Sequence, residues 1–323
     1  MRPTVSIIVP VYNVEKYLEK CLDCLVNQTL LNMEILVIND SSPDNSQEII
    51  DRYVAKYPQV KSFIKPNGGI ADVRNYGLEK VTGEYFGFLD SDDYTTLDMF
   101  EKMYDKAIQE DADVVVSNFK WVNQHGEKIQ LEGPYKQGKD MMVKLFATLW
   151  NKIYKTDFVR SLDLEFPTGN RYEDACFLYC LTPHINKLAF IDEAFVSYVQ
   201  HGASITHTNN VQVKNMITVF KIIVDYFKTN SLYEEYYDEL EYLHIKFFLG
   251  NSFLRSSRIK DKDDRKDTIL LGWNLLNQEF PNWSKNHYLN DLGGMKNKYF
   301  KMVRRWNIMI FAWIFRNFKT DNI

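Results

Sequence analysis

Asp90, Ser91, Asp92 and Asp93 stand together just past an apolar run, Tyr85–Leu89. Two carboxylates two residues apart at a strand end can both face a crevice. Hard divalent cations such as Mg²⁺ or Mn²⁺ take oxygen ligands, and often share them between carboxylates and a substrate phosphate. Positive charge held there offsets the charge of a departing diphosphate. The same four residues also suit a solvated turn before a helix, where acids are favoured.

Three other clusters carry chemistry. Asp40 follows the apolar run Glu34–Ile38. A carboxylate there can accept hydrogen bonds from a base or ribose, or close an Asx turn with Ser42 and Asp44. Pro66-Asn67-Gly68-Gly69 leads into a helical pattern bearing Arg74. Glycines let the backbone approach a ligand closely, and a guanidinium can grip a phosphate; a plain turn and a surface arginine are the other reading. Glu173 and Asp174 lie among Arg171, Tyr172, Ala175, Cys176 and Phe177. A carboxylate in a partly dry, aromatic setting gains protons more readily and can serve as a general base, or simply start a helix. His201 and His207 flank Ser204 and suit a diphosphate, a metal or a structural role.

The elements that must position these groups alternate. Val5–Val9, Glu34–Ile38, Val60–Ile64, Tyr85–Leu89 and Val114–Phe119 read as buried strands. Between them Glu15–Leu25, a helix opened and capped by Ser46, Ala71–Val81 (ended by Thr82–Gly83) and Leu97–Glu110 have helical spacing. Such alternation predicts a mostly parallel α/β sheet covered by helices. Ligands of such sheets bind at the carboxyl ends of the strands, where Pro10–Asn13, Asn39–Asp44, Pro66–Gly69 and Asp90–Asp93 fall. Residues 1–210 are expected to form that domain, and 211–323 a helical region.

Composition agrees with a globular chain: of 323 residues, 45% are apolar and 25% charged. A net charge of −4 gives no global attraction to nucleic acid. The N-terminus runs straight into a strand pattern without a signal-peptide pattern, and no apolar run reaches the roughly 18 residues that span a bilayer. Cys21, Cys24, Cys176 and Cys180 lie between apolar neighbours in helical segments and read as small buried hydrophobes. A cytoplasmic protein with reduced thiols is the expectation.

Several motifs in one order carry a family resemblance. Val5-Ser-Ile-Ile-Val-Pro-Val-Tyr-Asn-Val-Glu-Lys-Tyr-Leu, Gln28-Thr29, Glu34-Ile-Leu-Val-Ile-Asn-Asp-Ser-Ser, Asn67-Gly-Gly, Arg74-Asn-Tyr-Gly-Leu and Gly83-Glu-Tyr-Phe-Gly-Phe-Leu-Asp-Ser-Asp-Asp resemble the family 2 glycosyltransferases of GT-A fold. Trp150-Asn-Lys-Ile-Tyr, Tyr172-Glu-Asp and His201-Gly-Ala-Ser-Ile extend the likeness to about residue 207. The resemblance implies a metal-dependent inverting enzyme of bacterial surface or capsular polysaccharide synthesis. It moves one sugar from a nucleotide-sugar, a UDP-hexose by family habit, to a saccharide or lipid-linked acceptor. Pro10, Val11 and Tyr12 then line the nucleotide pocket and Asp40 meets the base. Asn67, Gly68, Arg74 and Ser91 lie near the sugar and phosphates. Asp90 and Asp92 form the DxD motif, with Asp92 the main ligand of Mn²⁺ or Mg²⁺, and Asp174 is the catalytic base. Glu173 and His201 are secondary candidates.

The chain departs from the family pattern in places. Asn39-Asp40-Ser41-Ser42 stands for the usual Asp-Asp-Gly-Ser. Ile70-Ala-Asp-Val-Arg-Asn stands for Leu-Ser-x-Ala-Arg-Asn and brings the extra carboxylate Asp72 near the sugar. Tyr198-Val199 replaces Tyr-Arg, removing a phosphate-binding arginine, and the Gln-x-x-Arg-Trp motif of processive synthases is absent. Transfer of a single sugar is the expectation. The alternatives are a dTDP-rhamnose-dependent rhamnosyltransferase and an inactive sugar-nucleotide-binding scaffold. A nucleotidyltransferase would need a basic Gly-rich loop after the first strand, which Pro10-Val-Tyr-Asn is not.

Residues 296–319 hold seven basic groups and no acid, interleaved with aromatic and aliphatic residues. Such a segment suits a peripheral membrane anchor on the inner face of the cell membrane, a helix docked on its own domain, or a homodimer contact.

Overall fold

The computed structural model describes residues 2–136, 138–200 and 211–317. The chain divides into two units, one of Met1–Gly169 with Glu173–Gly202, the other of Asn170–Tyr172 with Ala203–Ile323.

The first unit opens β1 (Val5–Val11), α1 (Glu15–Val26), β2 (Met33–Asn39), α2 (Ser46–Lys56), β3 (Val60–Ile64), α3 (Ile70–Lys80) and β4 (Tyr85–Phe88). β1 and β2 are buried along their whole lengths, as strands covered on both faces must be. β1 pairs in parallel with β2 and β4, and β2 with β3. The order β3-β2-β1-β4 therefore places the ends of β1, β2 and β4 side by side. α1 seats Leu18, Cys21, Leu22 and Leu25 in the core. All four cysteines are buried and free.

Two local expectations are corrected. α2 is not capped by the Ser46 hydroxyl; its Ser46 N–H donates to the Asp44 carboxylate at 3.1 Å. α3 ends at Lys80, with Val81 non-helical and no left-handed turn at Thr82–Gly83. Gly83 is needed for another reason: a Cβ there would lie 2.7 Å from the Ser6 backbone nitrogen.

The unit continues with β5 (Tyr94–Thr95), α4 (Met99–Glu110), β6 (Val114–Asn123), β7 (Gly126–Gln130), α5 (Lys139–Lys144), β8 (Lys152–Lys155), α6 (Thr156–Ser161), α7 (Glu173–Leu181) and β9 (Leu188–Val199). β8 runs antiparallel between β4 and β6, β9 pairs in parallel with β6, and β5 closes the far edge antiparallel to β9. The sheet is thus parallel in the β3-β2-β1-β4 half and mixed beyond it. β8 escapes a periodicity reading because Lys152 interrupts its apolar pattern. That lysine is fully buried, and its ammonium meets Glu132 at 3.2 Å and the Thr148 carbonyl at 2.8 Å. Burial lowers its pKa, against the pull of Glu132.

The second unit holds α8 (Asn215–Thr229), α9 (Tyr237–Ile245), a π-helical turn at Lys246–Asn251, α10 (Ser252–Ser257), α11 (Lys262–Glu279), α12 (Gly294–Met302) and α13 (Ile308–Asn317). It is the helical C-terminal region expected. Asp261 caps α11 by accepting from the Asp263 and Asp264 N–H groups. His244 is buried beside Phe220 and Phe280, each 4.7 Å away between ring centres. Burial pushes its pKa down to about 4, so it packs as a neutral ring. Among the described residues, no helix is long and apolar enough to cross a membrane.

Candidate active site

Arg74 gathers the site. α3 begins just after Gly69 and turns Arg74 into the protein, where it is buried. One guanidinium nitrogen donates to Glu173 Oε1 at 2.6 Å, the other to Asp90 Oδ1 at 3.1 Å. The rings of Phe88 and Phe166 flank the guanidinium with centres 5.9 and 5.8 Å away. Burial works against its charge, and Asp90, Glu173 and Asp174 more than offset this. A side chain on α3 thereby ties the end of β4 to the start of α7. The sequence suggested an arginine reaching for phosphate; here its terminal nitrogens are bonded to two carboxylates.

Asp174 lies in the first turn of α7, partly covered, with Oδ1 accepting from the Ala175 N–H at 2.7 Å. Burial raises its pKa and the Glu173 charge adds to the rise, while Arg74 opposes it; the outcome is about 7. An acid poised there can exchange a proton near neutral pH.

The turn after β4 sorts its three aspartates. Asp93 points inward, almost wholly buried, and accepts from the Val199 N–H of β9 at 2.8 Å. Its carboxyl is pushed well up, by burial first and then by Asp92 and Asp90. Asp90 and Asp92 stay partly exposed, while Ser91 is buried. Gln28 clamps the next segment. Its amide donates to the Thr96 carbonyl at 2.8 Å and to the Cys24 carbonyl at 2.9 Å. The Gln28-Thr29 motif is visible in the sequence, but its job is not.

Asp40 has both oxygens engaged. Oδ1 accepts from the Gly68 N–H at 2.9 Å and from Lys65 Nζ at 3.0 Å, and Oδ2 accepts from the Gly69 N–H at 2.8 Å. Asn67 Nδ2 donates to the Asp40 carbonyl at 3.0 Å. Lys65 also pairs with Asp72, whose carboxylate lies so near Gly68 that a Cβ would meet it at 2.1 Å. Gly69 adopts φ 83°, a conformation that favours glycine. The carboxylate expected to meet the base also shapes the turn before α3. Lys65 carried no motif signal; its role comes from bridging two acids far apart in sequence.

Asp40→Ala is expected to destabilise the protein by about 1–2 kcal/mol, because it removes the acceptor of the Gly68 and Gly69 N–H groups and leaves Lys65 with Asp72 as its remaining acid. Asp40→Asn, which keeps one acceptor, costs less. Chemical denaturation measures both, and an unchanged midpoint for the alanine variant sinks this assignment.

Pro10 and Val11 are buried at the end of β1, and Tyr12 beyond them is 52% exposed. The loops after β1 and β2 are stitched together. The Asn13 N–H donates to Ser42 Oγ at 2.7 Å, and the Glu15 N–H donates to Asp44 at 2.9 Å. Asn39 Oδ1 accepts from the Ser42 N–H at 2.7 Å, so Asn39 orders the turn in the absence of the family's usual aspartate and glycine. His201 and His207 lie outside the described residues.

The residues fit a hard cation. Asp90 and Asp92 supply oxygen donors alone, at a turn where a third carboxyl is buried with Oδ2 unbonded. Among the described residues no cluster of three or more His, Cys, Asp or Glu is arranged to hold a metal. Two carboxylates plus substrate phosphate oxygens is the sharing that Mg²⁺ and Mn²⁺ accept.

A half-parallel, half-mixed sheet with these acids beside its carboxyl edge is a GT-A fold. The model of Glycosyl transferase family 2 matches residues 6–168, and the chain belongs to that family. The uncharacterized glycosyltransferase EpsJ of Bacillus subtilis is 30% identical over 221 residues, covering 64% of this chain and 64% of that protein. The chain thus spans just under two thirds of that relative's length. Chondroitin synthase of Pasteurella multocida is 28% identical over 249 residues, 75% of this chain and 25% of the synthase. Among solved structures, S. aureus TarS 1-349 in complex with UDP-GlcNAc matches with a TM-score of 0.69 at 22% identity, covering 92% of this chain and 89% of that one. The chain is a family 2 glycosyltransferase with polysaccharide synthases among its relatives.

Proposed function

We propose that the protein transfers a single sugar, with inversion, from a nucleotide-sugar to a saccharide or lipid-linked acceptor in bacterial surface polysaccharide synthesis. The observation that carries the reading is the chain of contacts from Asp90 through Arg74 to Glu173, with Asp174 beside it and its carboxyl raised to about 7. A UDP-hexose is the donor; the TarS structure with UDP-GlcNAc supports that class. Pro10, Val11 and Tyr12 line the nucleotide side, with Asn67, Gly68 and Ser91 toward the phosphates. The chain works in the cytoplasm.

Asp174 takes the proton from the acceptor hydroxyl as that oxygen attacks the anomeric carbon from the face opposite the diphosphate. The carbon–oxygen bond to the diphosphate breaks, and its electron pair leaves with the nucleotide. Arg74 holds Asp90 in place and, through Glu173, the start of α7 that carries Asp174. Asp92 and Asp90 would hold Mn²⁺ or Mg²⁺, which would supply positive charge against the leaving diphosphate.

A donor screen by nucleotide release tests the reading. UDP appears with a UDP-hexose in the presence of Mn²⁺ and acceptor, and its rate falls to background with EDTA. Release from dTDP-rhamnose alone overturns the donor class. Full activity under chelation overturns the metal, and no release from any donor favours a scaffold.

A further inference from the structure

We propose that the surface formed by α12, α13 and the turn between them docks the protein on an anionic lipid bilayer. α13 is apolar on every side except near its end. Ile308, Ala312 and Phe315 form its inner face and are buried. Within the helical unit, the Phe315 ring packs 5.8 Å from Phe253 and 5.1 Å from Tyr299. This half answers the docking-helix alternative: the inner face is satisfied within its own unit.

The opposite face is turned outward. Ile310 is 55% and Trp313 is 61% exposed, and Trp306, in the turn before α13, is 78% exposed. Met302, at the end of α12, is also exposed. A helix apolar all round is normally buried all round. An exposed patch of two tryptophans, an isoleucine and a methionine calls for a covering.

Charge selects the cover. Lys296, Lys298, Lys301, Arg304, Arg305 and Arg316 are exposed on the same stretch of chain, and residues 292–317 contain no acid. The chain as a whole is net acidic, so this concentration of cations is local. A second copy presenting the same patch would bring like charges together. An anionic leaflet matches both features. Tryptophan favours the headgroup level, and each cation near a charged surface strengthens binding about fivefold. Phe318 and Lys319, the remaining members of the basic segment, lie outside the described residues.

The proposal stands on the helical unit's own surface and does not depend on the sugar chemistry. Its test is flotation of the full chain with vesicles of phosphatidylcholine alone or containing phosphatidylglycerol. Binding is expected only to the anionic vesicles, and weaker at high salt. Trp306→Ser with Trp313→Ser lowers the bound fraction at least tenfold. Lys298→Gln, Lys301→Gln and Arg305→Gln together weaken binding on the order of 100-fold. These side chains are exposed, and unchanged melting temperatures show that the variants fold. Equal flotation of wild type and the tryptophan variant overturns the proposal. So does a stable dimer that the tryptophan substitutions dissolve and that ignores vesicles.

Discussion

Asp92→Ala is expected to lower sugar transfer roughly a thousandfold while the protein melts within a few degrees of the wild type. The size follows from the charge it removes. An ion facing a departing diphosphate contributes several kcal/mol to the barrier, and each 1.36 kcal/mol is a factor of ten in rate. The small effect on folding follows from its place, since Asp92 is partly exposed. Asp93→Ala makes the opposite pattern. It removes a buried acceptor from the Val199 N–H that ties the turn to β9, at about 1–3 kcal/mol of stability. Calorimetric titration of UDP with and without Mn²⁺ adds a readout apart from turnover: the Mn²⁺-dependent part of binding is lost in Asp92→Ala and kept in Asp93→Asn. Transfer within tenfold of wild type for Asp92→Ala, or the reverse ranking of the two positions, assigns the ligand wrongly.

Position 93 also shows what a sequence hides. Four residues, Asp90 to Asp93, announce a metal turn, but which carboxylates face outward depends on β9, more than 100 residues later. The parallel half of the sheet was legible because β1 and β2 are continuous apolar runs and the helices between them keep one spacing. β8 was not, since a lysine neutralised by a distant glutamate looks like a surface residue. Arg74 was visible as a motif residue. Its two carboxylate partners were legible singly, but nothing local says that one guanidinium holds both. Asp40 stands at the predicted strand end, yet its partners Gly68, Gly69 and Lys65 come from the next loop. In each case the missing information is a contact between segments far apart in the chain, and local pattern carries none of it.

Asp174→Asn is expected to abolish transfer and to stabilise the fold at the same time. A general base contributes about 10²–10⁴-fold, and an amide cannot take the proton. The stability effect follows from the sign of the pKa change. Asp174 in the folded chain titrates at about 7, against an ordinary 3.8. The folded protein therefore holds a proton that the unfolded chain has already released between those values. The associated stability is complete below about pH 4 and is lost as pH rises through 7. Above pH 7 the partly covered carboxylate is charged beside Glu173 and costs the fold about 2–3 kcal/mol, allowing for its partial contact with solvent. Asparagine removes that charge and can still accept from the Ala175 N–H. Its melting temperature at pH 8 is expected to exceed the wild type's by several degrees, and the gap closes toward pH 4. Wild-type kcat/KM rises tenfold per pH unit below about 7 and levels above it. Glu173→Gln separates the base from its support. It weakens the ion pair to Arg74, lowers stability and reduces kcat, yet keeps a one-proton limb. A variant at 174 that loses activity and stability together, or a wild-type profile flat from pH 5 to 8, shows that Asp174 only builds the helix start. Activity gained at the expense of folding is the signature of a group held charged for its chemistry.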